Sequence, residues 1–204
     1  MNKIVDKIKS RDQIPLLLNS LELNGIGAEI GVFKGEYARL LIERWHCSKL
    51  ILVDSWCHLA NYLDSWNVDD HQALENYKLC VDLQSDHPDR VTLMRMSSRD
   101  AAALIDNDSL DFVYIDANHS FSSTSEDLDL WFPKLKIGGI FSGHDYFDAL
   151  ADDEFEPILH GSKELDVNEL TSYGVKSAVD RFVNINNYEI TVTNEEWPTW
   201  YFIK

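Results

Sequence analysis

Four side chains able to hold a metal or move a proton fall in two short clusters of this sequence. Asp116 and His119 make a D-x-x-H, and His144 and Asp145 are adjacent. Two carboxylates are hard oxygen donors that suit Mg²⁺, which takes few protein ligands and keeps several waters. An imidazole at His144 suits zinc or another transition metal better; the alternative is a histidine that only supports its neighbours. At His119, a histidine is the usual choice for taking a proton, because an ordinary imidazole ionises near neutral pH. Taken alone it is equally a loop or helix-start histidine. A second group lies upstream, in the glycine-bearing run Glu29-Ile-Gly31-Val-Phe-Lys-Gly35. Glycine there lets backbone approach a ligand, or makes a plain turn. Asp54 follows about 20 residues later, where a carboxylate can grip two ribose hydroxyls or serve as a helix cap. Met96, Ser97 and Ser98 offer a soft side chain and hydroxyls to a purine, or a capped helix start.

These residues act together only if the chain carries them to one place. DFVYID, at 111–116, is an apolar run rich in aromatic and β-branched residues, as a buried parallel strand requires. SSTSEDLDLWFPKL reads as a helix: Ser122 to Ser125 offer cap hydroxyls, and Leu128, Trp131, Phe132 and Leu135 share a stripe. Lys134, Lys136 and Gly138-Gly139 supply its closing cations and left-handed stop. GIFSG, at 139–143, is the next strand. A right-handed crossover makes the two strands parallel. Their polar ends then meet at the carboxyl edge of one sheet, where open α/β sheets bind ligands.

The rest of the chain supplies the sheet. Strands are predicted at 26–32, 49–54 and 91–96, and helices at 37–45, 71–86, 98–105 and 174–184. Residues 2–22 read as one or two helices. YEITVT and WYFIK close the chain as an antiparallel hairpin. Strand-helix alternation ending in a hairpin predicts an α/β, doubly wound sheet. A single domain over 1–204 is expected, with a helical segment at 1–22 and a lid-like acidic insertion at 147–171. The stretch 56–70 has no clean period but holds Trp56, His58 and Trp66; with His71 and Asp152, Asp153 and Glu154 these could touch a substrate, though packing is the safer expectation.

Composition narrows the partners. The formal charge is −17 over 204 residues, which argues against a nucleic acid, because phosphate binding needs clustered Lys and Arg. No apolar run is long enough to span a membrane, and the charged first residues lack the apolar core of a signal peptide. Cys47, Cys57 and Cys80 have no metal spacing and read as reduced thiols of a cytoplasmic protein.

With EIGVFKG, LVDSW, YIDANHSF…DLDLWFPKLKIGGIFSGHDY, YGVKSAVDRF and TWYFIK on the page, the sequence resembles a class I S-adenosylmethionine-dependent methyltransferase. More narrowly, it is similar to the metal-dependent O-methyltransferases of sugars and other natural products. The resemblance implies a seven-stranded Rossmann-like sheet of order 3-2-1-4-5-7-6 with strand seven antiparallel. It implies S-adenosyl-L-methionine as cofactor, held by Glu29, Gly31, Gly35, Asp54, Ser98 and Asp116. It implies Mg²⁺ or another divalent cation on Asp116, Asp145 and His144, His119 as the catalytic base, and a small-molecule acceptor. Phe33 stands where a glycine is frequent, and no third acidic metal ligand is identifiable. The alternatives are a nicotinamide-dependent Rossmann oxidoreductase, which the glycine spacing and terminal hairpin disfavour, and a non-catalytic cofactor- or sugar-binding module, which has no need of a base beside a metal. The acceptor's identity is not legible, and the N-terminal helices leave a homo-oligomer open.

Overall fold

The structure, a computed structural model, describes residues 8–60, 62, 64–149 and 173–204. A 3₁₀ turn at Arg11–Gln13 leads into α1 (Ile14–Ser20), with Pro15 in its first turn. There follow β1 (Ile26–Ile30), α2 (Glu36–Arg44), β2 (Lys49–Asp54), α3 (Asp70–Asp86), β3 (Val91–Arg95), α4 (Ser98–Leu104), β4 (Leu110–Ile115), α5 (Phe121–Trp131) and β5 (Leu135–Gly143). The described chain ends with β6 (Asp148–Ala149), β7 (Tyr173–Gly174), α6 (Val175–Asn186), β8 (Thr191–Val192) and β9 (Trp200–Ile203). The lid-like insertion expected at 147–171 lies almost wholly outside the described residues, as does most of 1–10.

The main sheet runs β3-β2-β1-β4-β5-β9-β8. Since β8 and β9 are its sixth and seventh strands in chain order, this is the expected 3-2-1-4-5-7-6. β9 is antiparallel to β5 and pairs antiparallel with β8, while β1 to β5 pair parallel. β6 and β7 form a separate two-residue ladder.

Alternation along each strand feeds two cores, because both faces of a parallel sheet are covered. In β4, Phe112 and Tyr114 join Leu17, Leu18, Leu41 and Leu83 on the face of α1, α2 and α3. Val113 and Ile115 join Ala101, Leu128, Trp131, Val179 and Trp200 on the face of α4, α5 and α6. No helix among the described residues is long and apolar enough to cross a membrane.

Two local expectations change. α5 is capped by Ser120, whose hydroxyl accepts from the Ser123 N–H at 3.3 Å, two residues before the hydroxyl run that starts at Ser122. The helix also stops at Trp131 instead of running on to Leu135. Pro133 has no N–H with which to continue the ladder, and it sits in a 3₁₀ turn over Phe132–Lys134. Leu135, fully buried, starts β5 opposite Leu110. The left-handed Gly138 (φ 84°) therefore lies inside β5, beside a shift in register, and stops no helix.

Candidate active site

A cavity of about 940 Å³ opens at the carboxyl ends of the parallel strands. Sheet register sets its floor. Ile30 and Ile115 are paired across β1 and β4, and Ile115 and Gly143 across β4 and β5. The next residues of each strand, Gly31, Asp116 and His144, therefore leave the sheet side by side.

On the β1–β2 side the walls are backbone. Gly31 (φ 85°) donates to the Val53 carbonyl at 2.9 Å. A Cβ at Gly31 would run into the Asp116 carbonyl oxygen, so this glycine is required by the approach of the β4 end. Gly35 (φ 76°) starts α2 in the left-handed region and does not line the cavity. Phe33, at the position of the missing glycine, is itself left-handed (φ 52°). That conformation is costly for an aromatic residue, and it is held by hydrogen bonds. Asp54 Oδ2 accepts from the Val32 and Phe33 N–H groups at 2.9 and 3.0 Å, and the Trp56 indole donates to the Phe33 carbonyl at 2.9 Å. Asp54 Oδ1 accepts from the Trp56 N–H at 2.7 Å. About one of the four acceptor positions of this carboxylate is left for a ligand.

Glu29 rises from β1 beneath the loop. It is 3% exposed, and its Oε2 has no hydrogen-bond partner. Burial, with the charges of Asp116 and Asp54 adding to it, pushes its pKa well above the ordinary carboxylate range.

On the β4–β5 side the walls are charged. Asp116, His144 and Asp145 bring one ligand atom each within 4.8 Å of one another. His144 Nδ1 lies 3.0 Å from Asp145 Oδ1 and 3.7 Å from Asp116 Oδ2. His119 Nε2 faces Asp145 Oδ2 at 3.2 Å and Asp116 Oδ1 at 3.4 Å. Its other nitrogen lies 2.9 Å from Asp64 Oδ2 and 3.1 Å from the Tyr62 hydroxyl, and its ring stacks on Tyr173 at 4.9 Å. Burial alone would lower the His119 pKa. The bonds to Asp116 and Asp64 and the charge of Asp145 outweigh burial and lift it to about 10. Burial conversely would raise Asp116, but His119, the charge of His144 and that of Arg11 hold it below the usual carboxylate range.

The metal and base residues singled out from sequence thus converge, facing Glu29 and Asp54 across one cavity. Ser98 lines it too, but its hydroxyl donates to Asp127 Oδ1 and accepts from the Trp131 indole at 2.8 Å. Trp56 and Trp66 line the wall beside Phe33, whereas His58 and His71 do not reach it. Asp152, Asp153 and Glu154 lie outside the described residues.

Sequence reasoning missed Arg11, Tyr62, Asp64 and Asp127. Asp64 and Tyr62 come from the stretch without a period, and an aspartate there whose side chain turns inward carries no local signal. Asp127 sits on the inner face of α5, where an acid among Leu128 and Trp131 breaks the apolar stripe; that was a readable sign. Burial, with the charge of Glu126 adding to it, raises its pKa to about 7.

A family model described as a methyltransferase domain matches residues 28–146, more than half of the chain. No curated protein matches the sequence. Among solved structures, an O-methyltransferase from Bacillus cereus in complex with SAH is 13% identical, with a TM-score of 0.56, covering 98% of this chain and 84% of that one. The O-methyltransferase TomG from Streptomyces achromogenes, involved in tomaymycin synthesis and solved with SAM, is 15% identical (TM-score 0.58; 95% and 78% covered). The 1,6-didemethyltoxoflavin-N1-methyltransferase from Burkholderia thailandensis, solved with 1,6-didemethyltoxoflavin and S-adenosylhomocysteine, is 11% identical (TM-score 0.58; 98% and 79% covered). At such identities the likeness speaks for the fold.

Proposed function

The chain belongs to the methyltransferase-domain family, and from that premise we propose that it moves a methyl group from S-adenosyl-L-methionine to a hydroxyl of a small molecule of the sugar or natural-product kind. Solved structures of the same fold named O-methyltransferases, with SAM or SAH bound, support the cofactor and the acceptor atom. The observation that carries the reading is the convergence of Asp116, His119, His144 and Asp145 across the cavity from the glycine turn.

In this reading Glu29 and Gly31 take the methionyl part of the cofactor, Asp54 the ribose and Ser98 the adenine, with Asp116 near the reacting end, while Gly35, outside the cavity lining, shapes the turn into α2. The orphaned Glu29 Oε2 fits a cofactor that carries an ammonium group. The cofactor would supply a methyl group from sulfur, which would keep the bonding electron pair, and His119 Nε2 would take the proton released by the acceptor hydroxyl. Asp116, Asp145 and His144 would hold Mg²⁺ or another divalent cation. Their donor set of two carboxylates and an imidazole fits such an ion. When bound, the cation polarises the acceptor hydroxyl and lowers its pKa. His119 acts as base once Asp116 and Asp145 are engaged elsewhere and no longer hold its proton. Asp64 and Tyr62 fix the far side of the ring, which keeps Nε2 aimed at the cavity.

Two measurements test the reading. Calorimetric titration with S-adenosylhomocysteine and with NAD should show binding of the first alone; binding of NAD instead would restore the nicotinamide alternative. Transfer of labelled methyl to a panel of small hydroxyl acceptors should stop in EDTA and return with Mg²⁺. Full turnover in EDTA would leave Asp116 and Asp145 with a structural role.

A further inference from the structure

Arg11 reaches the site from outside the methyltransferase match. Its backbone is fixed by its own N–H donating to Glu195 Oε1 at 2.9 Å and by its carbonyl accepting from the Tyr37 hydroxyl at 3.3 Å. Its guanidinium lies 5.2 Å from the centre of the Tyr37 ring and 3.6 Å from Asp116 Oδ2, and it lines the cavity. The pairing with Asp116 is loose and leaves most of the five N–H donors of an arginine available. The buried Tyr114 hydroxyl lies beside it and interacts with the guanidinium. Tyr114 is the register partner of Glu29, a buried acid with an unpaired oxygen.

The charges around the cavity explain why this cation matters. The lining carries the carboxylates of Asp54, Asp64, Asp116 and Asp145, among others, beside the acids Glu29 and Asp127, which burial pushes toward the neutral form. Such walls favour a sulfonium and an ammonium and repel a carboxylate. The other cations among the described lining residues are committed elsewhere: Lys34 sits over the Phe33 ring, Arg99 pairs with Glu126, and His119 is held by Asp64, Asp116 and Asp145. A methionyl group brings an ammonium and a carboxylate on one carbon, so it needs an acid and a cation side by side. Glu29, with a bare oxygen, and Arg11, a multiple donor, both line this cavity, and the charge of Arg11 is felt at Glu29.

We propose that Arg11 binds the α-carboxylate of the cofactor's methionyl group, with Glu29 taking the ammonium beside it. The inference rests on the S-adenosylmethionine reading above and adds a residue to it. A planar guanidinium matches a carboxylate through two parallel hydrogen bonds, which an ammonium at the same position cannot reproduce.

The test uses two ligands that differ only in the amino-acid part. S-adenosylhomocysteine keeps it; 5′-methylthioadenosine has the same nucleoside and thioether without it. In calorimetric titrations, Arg11→Met should weaken S-adenosylhomocysteine binding by about 10- to 100-fold, the usual worth of a hydrogen bond to a charged group, and leave 5′-methylthioadenosine binding unchanged. Arg11→Lys should recover part of the loss. No loss with either variant would make Arg11 only the counter-ion of Asp116 and overturn the proposal. If Arg11→Met loses both ligands through misfolding, Arg11→Lys decides: a loss confined to S-adenosylhomocysteine supports the proposal, and equal losses overturn it. A wild-type protein that binds neither ligand removes the cofactor reading itself, and the inference with it.

Discussion

The two sides of the cavity are built on different physics. On the β1–β2 side, Asp54 gathers three backbone N–H groups and the Trp56 indole holds the Phe33 carbonyl. These bonds complete the turn before any ligand arrives, and they offset the left-handed backbone at Phe33. On the β4–β5 side, Asp64, Asp116 and Asp145 crowd one imidazole, with His144 and Arg11 at the margin. Even Asp145 is left-handed (φ 52°), a conformation aspartate tolerates better than most residues. Backbone N–H groups gathered on one carboxylate give a fixed shape. A cluster of like charges around one shared proton responds to any cation or proton that enters. The first side is made to receive a ligand of fixed shape, the second to change its charge during a reaction.

Substitutions can separate the two sides. His119→Gln keeps hydrogen-bonding reach but has no basic nitrogen. It should lower the rate of methyl transfer by about 10²- to 10⁴-fold and leave the S-adenosylhomocysteine affinity unchanged, as read by kinetics and calorimetry. A parallel loss of affinity would show that the sides are not independent. Gly31→Ala strikes where they touch, at the Asp116 carbonyl, from a backbone angle that alanine resists. It should cost about 3 kcal/mol of stability in denaturant unfolding and weaken both cofactor and cation binding. Asp54→Asn exchanges a strong acceptor for a weak one beneath two loop N–H groups. It should weaken S-adenosylhomocysteine binding by about 10-fold while cation binding, followed by calorimetry with Mg²⁺, stays constant.

The smallest effect tests a buried acid that belongs to neither side. The Asp127 pKa of about 7 lies above the 3.8 of a free aspartate. A raised pKa contributes stability that is fully present below about pH 4 and is lost as pH rises through 7. The wild type should therefore lose up to about 1 kcal/mol per pH unit in that window. Asp127→Asn should flatten the slope, measured as urea midpoints at pH 5, 6 and 7. A slope unchanged by the substitution would place the titration elsewhere.

The strands were legible because burial on both faces leaves short, unbroken apolar runs, and KLILVD and DFVYID each end on a carboxylate. The closing hairpin followed from its short connection, whereas the sheet order was what the family resemblance implied. The end of α5 was misread, since the pull of Leu135 into the sheet is a tertiary effect that outweighs helical spacing. Gly31 was legible as a special position, but for another reason than the one found: its space is taken by the backbone of β4, 85 residues on.

What the chain determined by itself is the kind of group at each strand end: carboxylates at 54, 116 and 145, imidazoles at 119 and 144, and a glycine turn after β1. Local pattern is enough for that, because strand ends and helix starts are written in neighbouring residues. What only the tertiary structure decided is which further groups close around them. Arg11 reaches Asp116 from another part of the chain, and Asp64 reaches His119 from a stretch without periodicity. No spacing rule encodes these meetings, since they depend on how α1 and the segment before α3 pack over the sheet. The charge on His119, and with it the chemistry of the site, is a property of that packing.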